Sequence, residues 1–483
     1  MSKTLKQKTA SNIVWSFIDR FGQQALFMLL GIVLMRFFLS PSDYALISMI
    51  FILIFLGNTF MDSGFSNALI RKQDLTQTDL SSVFYFNITL SVLLYFIVFF
   101  AAPLFALYFE QPILTKLARI MALSIPITAL VLVPMALLTK AINFKYIASI
   151  NIFALFCSGA LSLFLAWKGL GVWILVIQPL TFGIVRAICC FWNFNLWRPS
   201  AVFSMDSIKD LWNYSSKLLL STIIAGIFNN IYVFFIGKIY PVEDVGYYSQ
   251  ANRYSELPNA AIMTAIQTVI YPVMASIGEQ DTDALKKTMR KTIRVASFVI
   301  LPIMLGFMAT AEPLVHTLFG TKWLPIAPYL QILCVGYLFL GITTFYNNIL
   351  FVKGLSSSYL KFNILYRVFI LLSIVLTMHQ GIVAMLVAWS IVAILFSLFL
   401  MIYAGRKINY TLWEQVNDIL PYFILALLMG AGVFLFTFWI KNHVVLLLSQ
   451  IIVGAAFYLG ATYLFGSKVF QEAIEMVKSK TAR

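Results

Sequence analysis

The chain has 483 residues, of which 61% are apolar, 16% aromatic and 11% charged, with a formal net charge of +15. Soluble domains are about 45–50% apolar and about 25% charged, and here the apolar excess lies in runs of about twenty residues or more, the length of helix that crosses a roughly 30 Å hydrocarbon core. A soluble enzyme, a disordered chain and a disulfide-stapled secreted domain are excluded, and the chain reads as an all-α membrane protein with many spans.

Fourteen apolar segments follow one another, at approximately 11–38, 43–66, 80–108, 113–139, 145–167, 170–193, 211–239, 244–277, 291–311, 324–352, 357–378, 381–404, 414–440 and 444–466. The first follows Lys3, Lys6 and Lys8 but runs on to Phe38, carries Asp19 and Arg20 and has no A-x-A-like exit, so it reads as a retained span rather than a signal peptide. Cys157, Cys189, Cys190 and Cys334 all fall inside apolar segments and read as small buried residues, with no CxxC spacing.

The charge follows topology. With the N-terminus in the cytoplasm, 22 of the 34 Lys and Arg residues fall on the cytoplasmic side, five in outer loops and seven within spans. The cytoplasmic set includes the cluster Lys286, Lys287, Arg290, Lys291 and Arg294, assigned to a loop at 278–290 and the start of the ninth span. The positive-inside rule then puts both termini in the cytoplasm, and the net charge needs no nucleic-acid partner.

A repeat organises the segments. Asp43-Tyr44-Ala45-Leu46-Ile47-Ser48 opens the second span and Asp244-Val245-Gly246-Tyr247-Tyr248-Ser249 the eighth, 201 residues later, each after a proline, Pro41 and Pro241. Gly171-Val172-Trp173 and Gly381-Ile382-Val383 echo each other at an offset of 210. Six spans per copy is an even number, so the copies keep one orientation, the pattern of transporters whose halves rock to give alternating access. The expected division is two parallel six-helix lobes, 1–205 and 206–405, and an additional two-helix hairpin with a tail, 406–483.

Charges within spans are costly and usually face a partner or a wet cavity. The cations are Arg20, Arg36, Arg119, Arg186, Lys217, Arg253 and Arg367, and the anions Asp19, Asp62 and Glu256, a surplus of four positive charges. Arg36, Arg119, Arg186 and Lys217 lie near span ends, where long stems reach the interface. Arg253 and Arg367 lie about 14–16 Å into their spans at 1.5 Å per residue, near the midplane. The eighth span is the most polar. Arg253 and Glu256 are three apart on one face, and Pro258 leaves the Tyr254 carbonyl without its helical donor. Asn229 and Asn230 add neutral donors. The substrate-binding candidates are therefore Arg253, Arg367, Arg20, Lys217, Glu256, Asp62, Asn229, Asn230 and Arg36, each set against a bland role as interfacial anchor or interhelical glue. No GxxxxGK[ST], GxGxxG or HExxH pattern is present, so neither catalysis nor ATP-driven pumping is expected, and no cofactor or metal.

At this point the residues resemble a known family. Asp62-Ser63-Gly64-Phe65-Ser66-Asn67-Ala68-Leu69-Ile70-Arg71-Lys72, Asn143-Phe144-Lys145-Tyr146-Ile147-Ala148, Gly246-Tyr247-Tyr248-Ser249-Gln250-Ala251 through Leu257-Pro258, and Leu318-Phe319-Gly320-Thr321-Lys322-Trp323 are similar to stretches of the Wzx-type polysaccharide flippases. The likeness is to the colanic acid and exopolysaccharide branch of the multidrug/oligosaccharidyl-lipid/polysaccharide exporter superfamily. It departs at Lys140, where Ala141-Ile142-Asn143 lacks a further arginine. The resemblance implies a flippase in the bacterial inner membrane that moves an undecaprenyl-pyrophosphate-linked oligosaccharide to the outer leaflet for capsule, O-antigen (lipopolysaccharide) or exopolysaccharide assembly. Its partners would be membrane lipids and the polysaccharide polymerase and chain-length machinery. Pyrophosphate is then expected between the lobes at Arg253 and Arg367, with Arg20 and Lys217 on the inner approach and Glu256 and Asp62 holding the cations when the site is empty. The coupling ion, H+ or Na+, stays open. So do two other readings, a multidrug cation antiporter and a flippase for the peptidoglycan lipid precursor.

Overall fold

The computed structural model describes residues 15, 19, 22–192, 197–466 and 469–471, with backbone alone at 210, 213–218 and 221. Among them all regular structure is helical. Thirteen helices are long and apolar enough to cross a membrane, and Gln23–Phe37 is a shorter apolar helix, in keeping with fourteen segments. The chain forms two compact units, the first up to Gly246 and the second from Tyr247.

The first unit contains α1 (Gln23–Phe37), α2 (Pro41–Asp62), α3 (Phe65–Arg71), α4 (Gln77–Tyr108), α5 (Ile113–Met121), α6 (Ser124–Lys140), α7 (Phe144–Trp167), α8 (Trp173–Trp192), α9 (Met205–Asn229), α10 (Ile231–Ile239) and the start of α11 (Val242–Ile277). It therefore takes in the seventh apolar segment, broken at Asn230 into α9 and α10. Helix starts are set by polar side chains. Ser40 and Asp43 form a reciprocal cap at α2 with Pro41 in the first turn, and Thr76 and Asp79 do the same at α4. Helix pairing uses small residues, because lipid offers no hydrophobic drive between helices. Ala154, Ser158, Ser162 and Ala166 form a buried seam at four-residue spacing on α7, which packs against α8. Cys190, beside Val131, Leu138, Ile147 and Ile150, and Cys334 are buried as expected, whereas Cys157 and Cys189 are only half-buried.

The repeated helix starts touch one another. Ser42 Oγ donates to Glu243 Oε1 at 3.3 Å, and a Cβ on Gly246 would stand 2.0 Å from the Pro41 carbonyl oxygen. Gly246 is needed there because nothing larger fits.

The second unit contains the rest of α11, α12 (Thr282–Ala309), α13 (Ala311–Leu318), α14 (Ile326–Val352), α15 (Ser356–Thr377), α16 (Ile382–Arg406), α17 (Leu412–Leu435) and α18 (His443–Leu464). α14 packs on α12 and α16, α12 on α17, and α17 on α18. The basic stretch expected in a loop is helical. α12 starts at Thr282, capped by Asp281, whose side chain accepts the Ala284 N–H at 2.9 Å. Its 28 residues span about 42 Å at 1.5 Å per residue, longer than a roughly 30 Å hydrocarbon core. The cation-bearing turns are the surplus length.

Those cations have two destinations. Lys286 and Arg290 reach Glu414 at 2.9 and 3.5 Å. Asp418, buried on α17, accepts from Arg290 Nε at 2.8 Å, Arg294 Nε at 2.8 Å and the Tyr410 hydroxyl at 2.7 Å. Gln415, a turn earlier, accepts from the Tyr346 hydroxyl at 2.7 Å and donates to the Met401 and Tyr410 carbonyls. This cluster ties α12, α14, α16 and α17 together. Burial, with Asp418 accepting its proton, pushes the Tyr410 hydroxyl well above the ordinary phenol range.

Candidate functional site

In the first unit a break in a span borders a cavity with both polar and apolar walls. α2 ends at Asp62, and Ser63 and Gly64 take left-handed φ of 45° and 77°, a conformation Gly adopts without cost. Asp62 Oδ1 accepts the Ser66 N–H at 3.1 Å, across the break. The interrupted helix presents Asn58, Thr59, Asp62, Ser66 and Asn67 to a cavity of about 510 Å³, with Thr128 of α6, Arg186 of α8 and Thr222 of α9 on its other walls. A volume of about 300–1,000 Å³ is usual for small-molecule sites.

The electrostatics of this cavity are unfinished. Arg186 Nε and Asn58 Oδ1 are buried without a hydrogen-bond partner. The Arg186 guanidinium lies 5.4 Å from the centre of the Phe182 ring and within electrostatic reach of Asp19. Asp19 is itself held by Gln23 Nε2 at 2.6 Å and Asn151 Nδ2 at 3.0 Å. One cation with an unspent N–H, one carboxylate and several neutral hydroxyls and amides share this space. Such a set suits a ligand that carries both anionic oxygens and hydroxyls.

A second cavity, of about 370 Å³, lies between α11 and α12 in the second unit. Ile266, Ile270 and Val273 form an aliphatic wall, faced by Lys287, Thr288, Lys291 and Thr292. No acidic residue lines it. The four-residue spacing explains the division of the cluster. Lys286, Arg290 and Arg294 share the face toward α17, while Lys287 and Lys291 share the one toward α11.

The sequence-predicted residues are divided between the two units. Asp62 lines the first cavity. Arg253 and Glu256 are exposed on α11 and form no ion pair with each other. Glu256 lies within electrostatic reach of Tyr337, whose hydroxyl donates to Asn252 at 2.9 Å. Arg367 is half-buried on α15, beside Tyr359 and Tyr366. Neither Arg253 nor Arg367 lines the two cavities described. Arg36 is exposed at the end of α1, 5.7 Å from the Phe37 ring centre. Asn229 is exposed, and Asn230 Nδ2 donates to the Gly226 carbonyl at 2.9 Å. Arg20 and the side chain of Lys217 lie outside the described residues. Arg186, read as an interfacial anchor, lines the cavity instead, and Asn58, Asn67 and Thr222 were not singled out. The four-residue spacing of Asn58 and Asp62 ahead of Ser63-Gly64 was the available signal.

Residues 33–328 match the family described as polysaccharide biosynthesis protein. The chain is 26% identical over 338 residues to the succinoglycan biosynthesis transport protein ExoT of Rhizobium meliloti, covering 70% of this chain and 68% of that one. It is 24% identical over 428 residues to the lipopolysaccharide biosynthesis protein WzxC of Escherichia coli, covering 87% and 82%. Its fold is similar to that of the lipid II flippase MurJ in an inward closed conformation, with a TM-score of 0.76, 18% identity and coverage of 96% of this chain and 100% of that one.

Proposed function

The chain belongs to this family of polysaccharide biosynthesis proteins, and from that premise we propose that it is a flippase for a lipid-linked oligosaccharide. Its cargo would be a repeat unit on undecaprenyl pyrophosphate, carried by alternating access from the inner to the outer leaflet of a bacterial inner membrane. The product would feed capsule, O-antigen or exopolysaccharide assembly, with a polymerase and chain-length machinery downstream. Both termini would be cytoplasmic. The protein would act as a carrier, without a cofactor, and draw on a proton or sodium gradient. The observation that carries the reading is the family match, and relatives named for succinoglycan transport and lipopolysaccharide biosynthesis support it.

The physical counterpart is a cavity that carries polar groups on partly apolar walls inside an apolar helical unit. A pyrophosphate entering the cavity could accept the unspent Arg186 N–H, and a hydrogen bond to a charged group is worth about 1.5–3 kcal/mol. Sugar hydroxyls would meet Asn58, Asn67, Thr128 and Thr222. Asp62 would repel the phosphate when ionised and would be neutralised by a proton or screened by a sodium ion, which makes it the carboxylate to test for coupling. Lys287 and Lys291, with an aliphatic wall opposite, would receive the lipid phosphate. Arg253 and Arg367 remain further candidates for the same charge.

The experiment is to deplete the protein in its host and quantify polyprenyl-pyrophosphate-linked glycans by mass spectrometry, with leaflet assignment in spheroplasts. One glycan accumulating on the cytoplasmic face is the expected result and names the cargo. Retention of a cationic dye with no accumulating glycan would overturn the reading in favour of drug export, and accumulation of the peptidoglycan precursor would redirect it to that lipid.

A further inference from the structure

A third cavity, of about 360 Å³, lies in the second unit between α11 and α14, lined by Thr264, Gln267, Thr268, Tyr271, Asn348 and Phe351. The two helices approach closely one stage earlier, where a Cβ on Gly341 would stand 2.3 Å from Asn259 Oδ1. Two turns further along α14 they leave room for a ligand.

The lining is chemically uniform in one respect, since it holds no charged residue. It consists of two hydroxyls, two carboxamides, a phenol and a phenyl ring. Gln267 Nε2 donates to Asn348 Oδ1 at 3.3 Å, which fixes the Asn348 amide and aims its Nδ2 elsewhere. Asn348 is only 1% exposed, and that Nδ2 has no acceptor. A buried donor left unpaired costs about 1–3 kcal/mol, so a group retained in this state points to a partner that arrives with the ligand. Thr268 spends its proton on the Ala265 carbonyl at 2.9 Å and keeps its lone pairs for a donor. Tyr271 and Phe351 are about two-fifths exposed, and Phe351 is steadied by the Tyr359 ring at 4.6 Å.

Each ligand class meets this lining differently. A phosphate finds no cation, an organic cation finds no carboxylate, and a polyprenyl chain would bury the amide pair without acceptors. A pyranose ring fits. Its hydroxyls donate and accept as carboxamides and threonines require, and its C–H face covers an aromatic ring. The location agrees, because the same stretch of α11 borders the basic cavity. Ile266, Ile270 and Val273 face that cavity, whereas Thr264, Gln267, Thr268 and Tyr271 face this one, roughly 140° around the axis at 3.6 residues per turn.

We propose that the α11–α14 cavity is a sugar-reading site: Gln267 and Asn348 hydrogen-bond the hydroxyls of one monosaccharide of the carried glycan, Tyr271 or Phe351 covers its apolar face, and these residues select which glycan is carried. The assignment rests on the flippase reading above and adds to it a place for the sugar.

The test uses the full chain in detergent, with the lipid-free repeat-unit oligosaccharide of the host's own polysaccharide as probe and inorganic pyrophosphate as control. Gln267→Leu and Tyr271→Ala are each expected to weaken oligosaccharide binding about tenfold and leave pyrophosphate binding unchanged. Asn348→Leu removes the unpaired donor, so it should abolish oligosaccharide binding while holding the thermal midpoint near that of the parent. If all three variants bind the oligosaccharide as the parent does, in a protein whose depletion still traps a lipid-linked glycan, the sugar site is elsewhere and the proposal is overturned. If depletion traps no such glycan, the flippase reading fails first and this assignment falls with it.

Discussion

Replacing Asp418 with Asn isolates the largest buried electrostatic arrangement described. The carboxylate is 4% exposed and holds Arg290, Arg294 and Tyr410 at 2.8, 2.8 and 2.7 Å. Removing one partner of a buried ion pair costs about 3–5 kcal/mol, because the other charge is stranded. Here the Arg290 and Arg294 side chains keep 33% and 36% exposure, so water relieves part of that load, leaving about 2–3 kcal/mol. For a unit of this size, about 2–4 °C of midpoint accompanies each kcal/mol, so thermal unfolding in detergent should fall by roughly 5–10 °C. Tyr410→Phe should cost less, since it removes one donor and leaves both guanidinium groups in place. The double variant should lose less than the sum of the two single effects, because the two groups share one hydrogen-bonded cluster. A D418N midpoint within about 1 °C of the parent would refute the reasoning.

Three further outcomes are expected. Arg186→Leu should cut glycan export by roughly tenfold or more, from about 1.5–3 kcal/mol for a charged hydrogen bond, and Arg186→Lys should restore it only in part, because Lys keeps the charge but lacks the planar fork; export rate in a depleted host is the readout. Gly246→Ala drives a methyl into the Pro41 carbonyl, a backbone group that cannot rotate away, and overpacking of that kind costs about 1–3 kcal/mol, measurable as a lower midpoint. Glu110, outside the spans, meets Lys238 Nζ at 2.7 Å, and that hydrogen bond and charge hold its carboxyl below the ordinary range. Its contribution is present above the usual glutamate pKa of about 4.3 and is lost as pH falls through the lowered value. The midpoint difference between parent and Glu110→Gln should therefore be flat near neutrality and vanish in acid, and it should shrink in high salt.

Apolar segments and some helix starts were legible because one residue's chemistry acts locally. Pro41 with Asp43 marks a helix start without knowledge of any neighbour, whereas the break at Ser63-Gly64 fell inside a segment read as continuous over 43–66. The extent of α12 was not legible from hydropathy, which averages over a helix and cannot distinguish its sides. Lys286 and Lys287 look alike in sequence but, about 100° apart around the helix, they meet different neighbours. Arg186 was misjudged for a different reason: the position of a cation within its span does not reveal the cavity opposite, built here from Asn58 and Asp62 of another helix. Arg253 and Glu256 show the reverse error, since the right spacing for a pair does not oblige it to form when each side chain has open surface beside it.

The Asp418 cluster also has a history within each molecule. Arg290 precedes Asp418 by 128 residues, and at about 5–20 residues per second the ribosome needs roughly 6–25 s to cover that distance. During this interval Arg290 and Arg294 have been made and their carboxylate partner has not. The carboxylate arrives later and turns the two arginines into a fastening between α12 and α17. That fastening closes only once both helices have been made, so a chain ending before Leu412 would carry the arginines without the carboxylate that holds them.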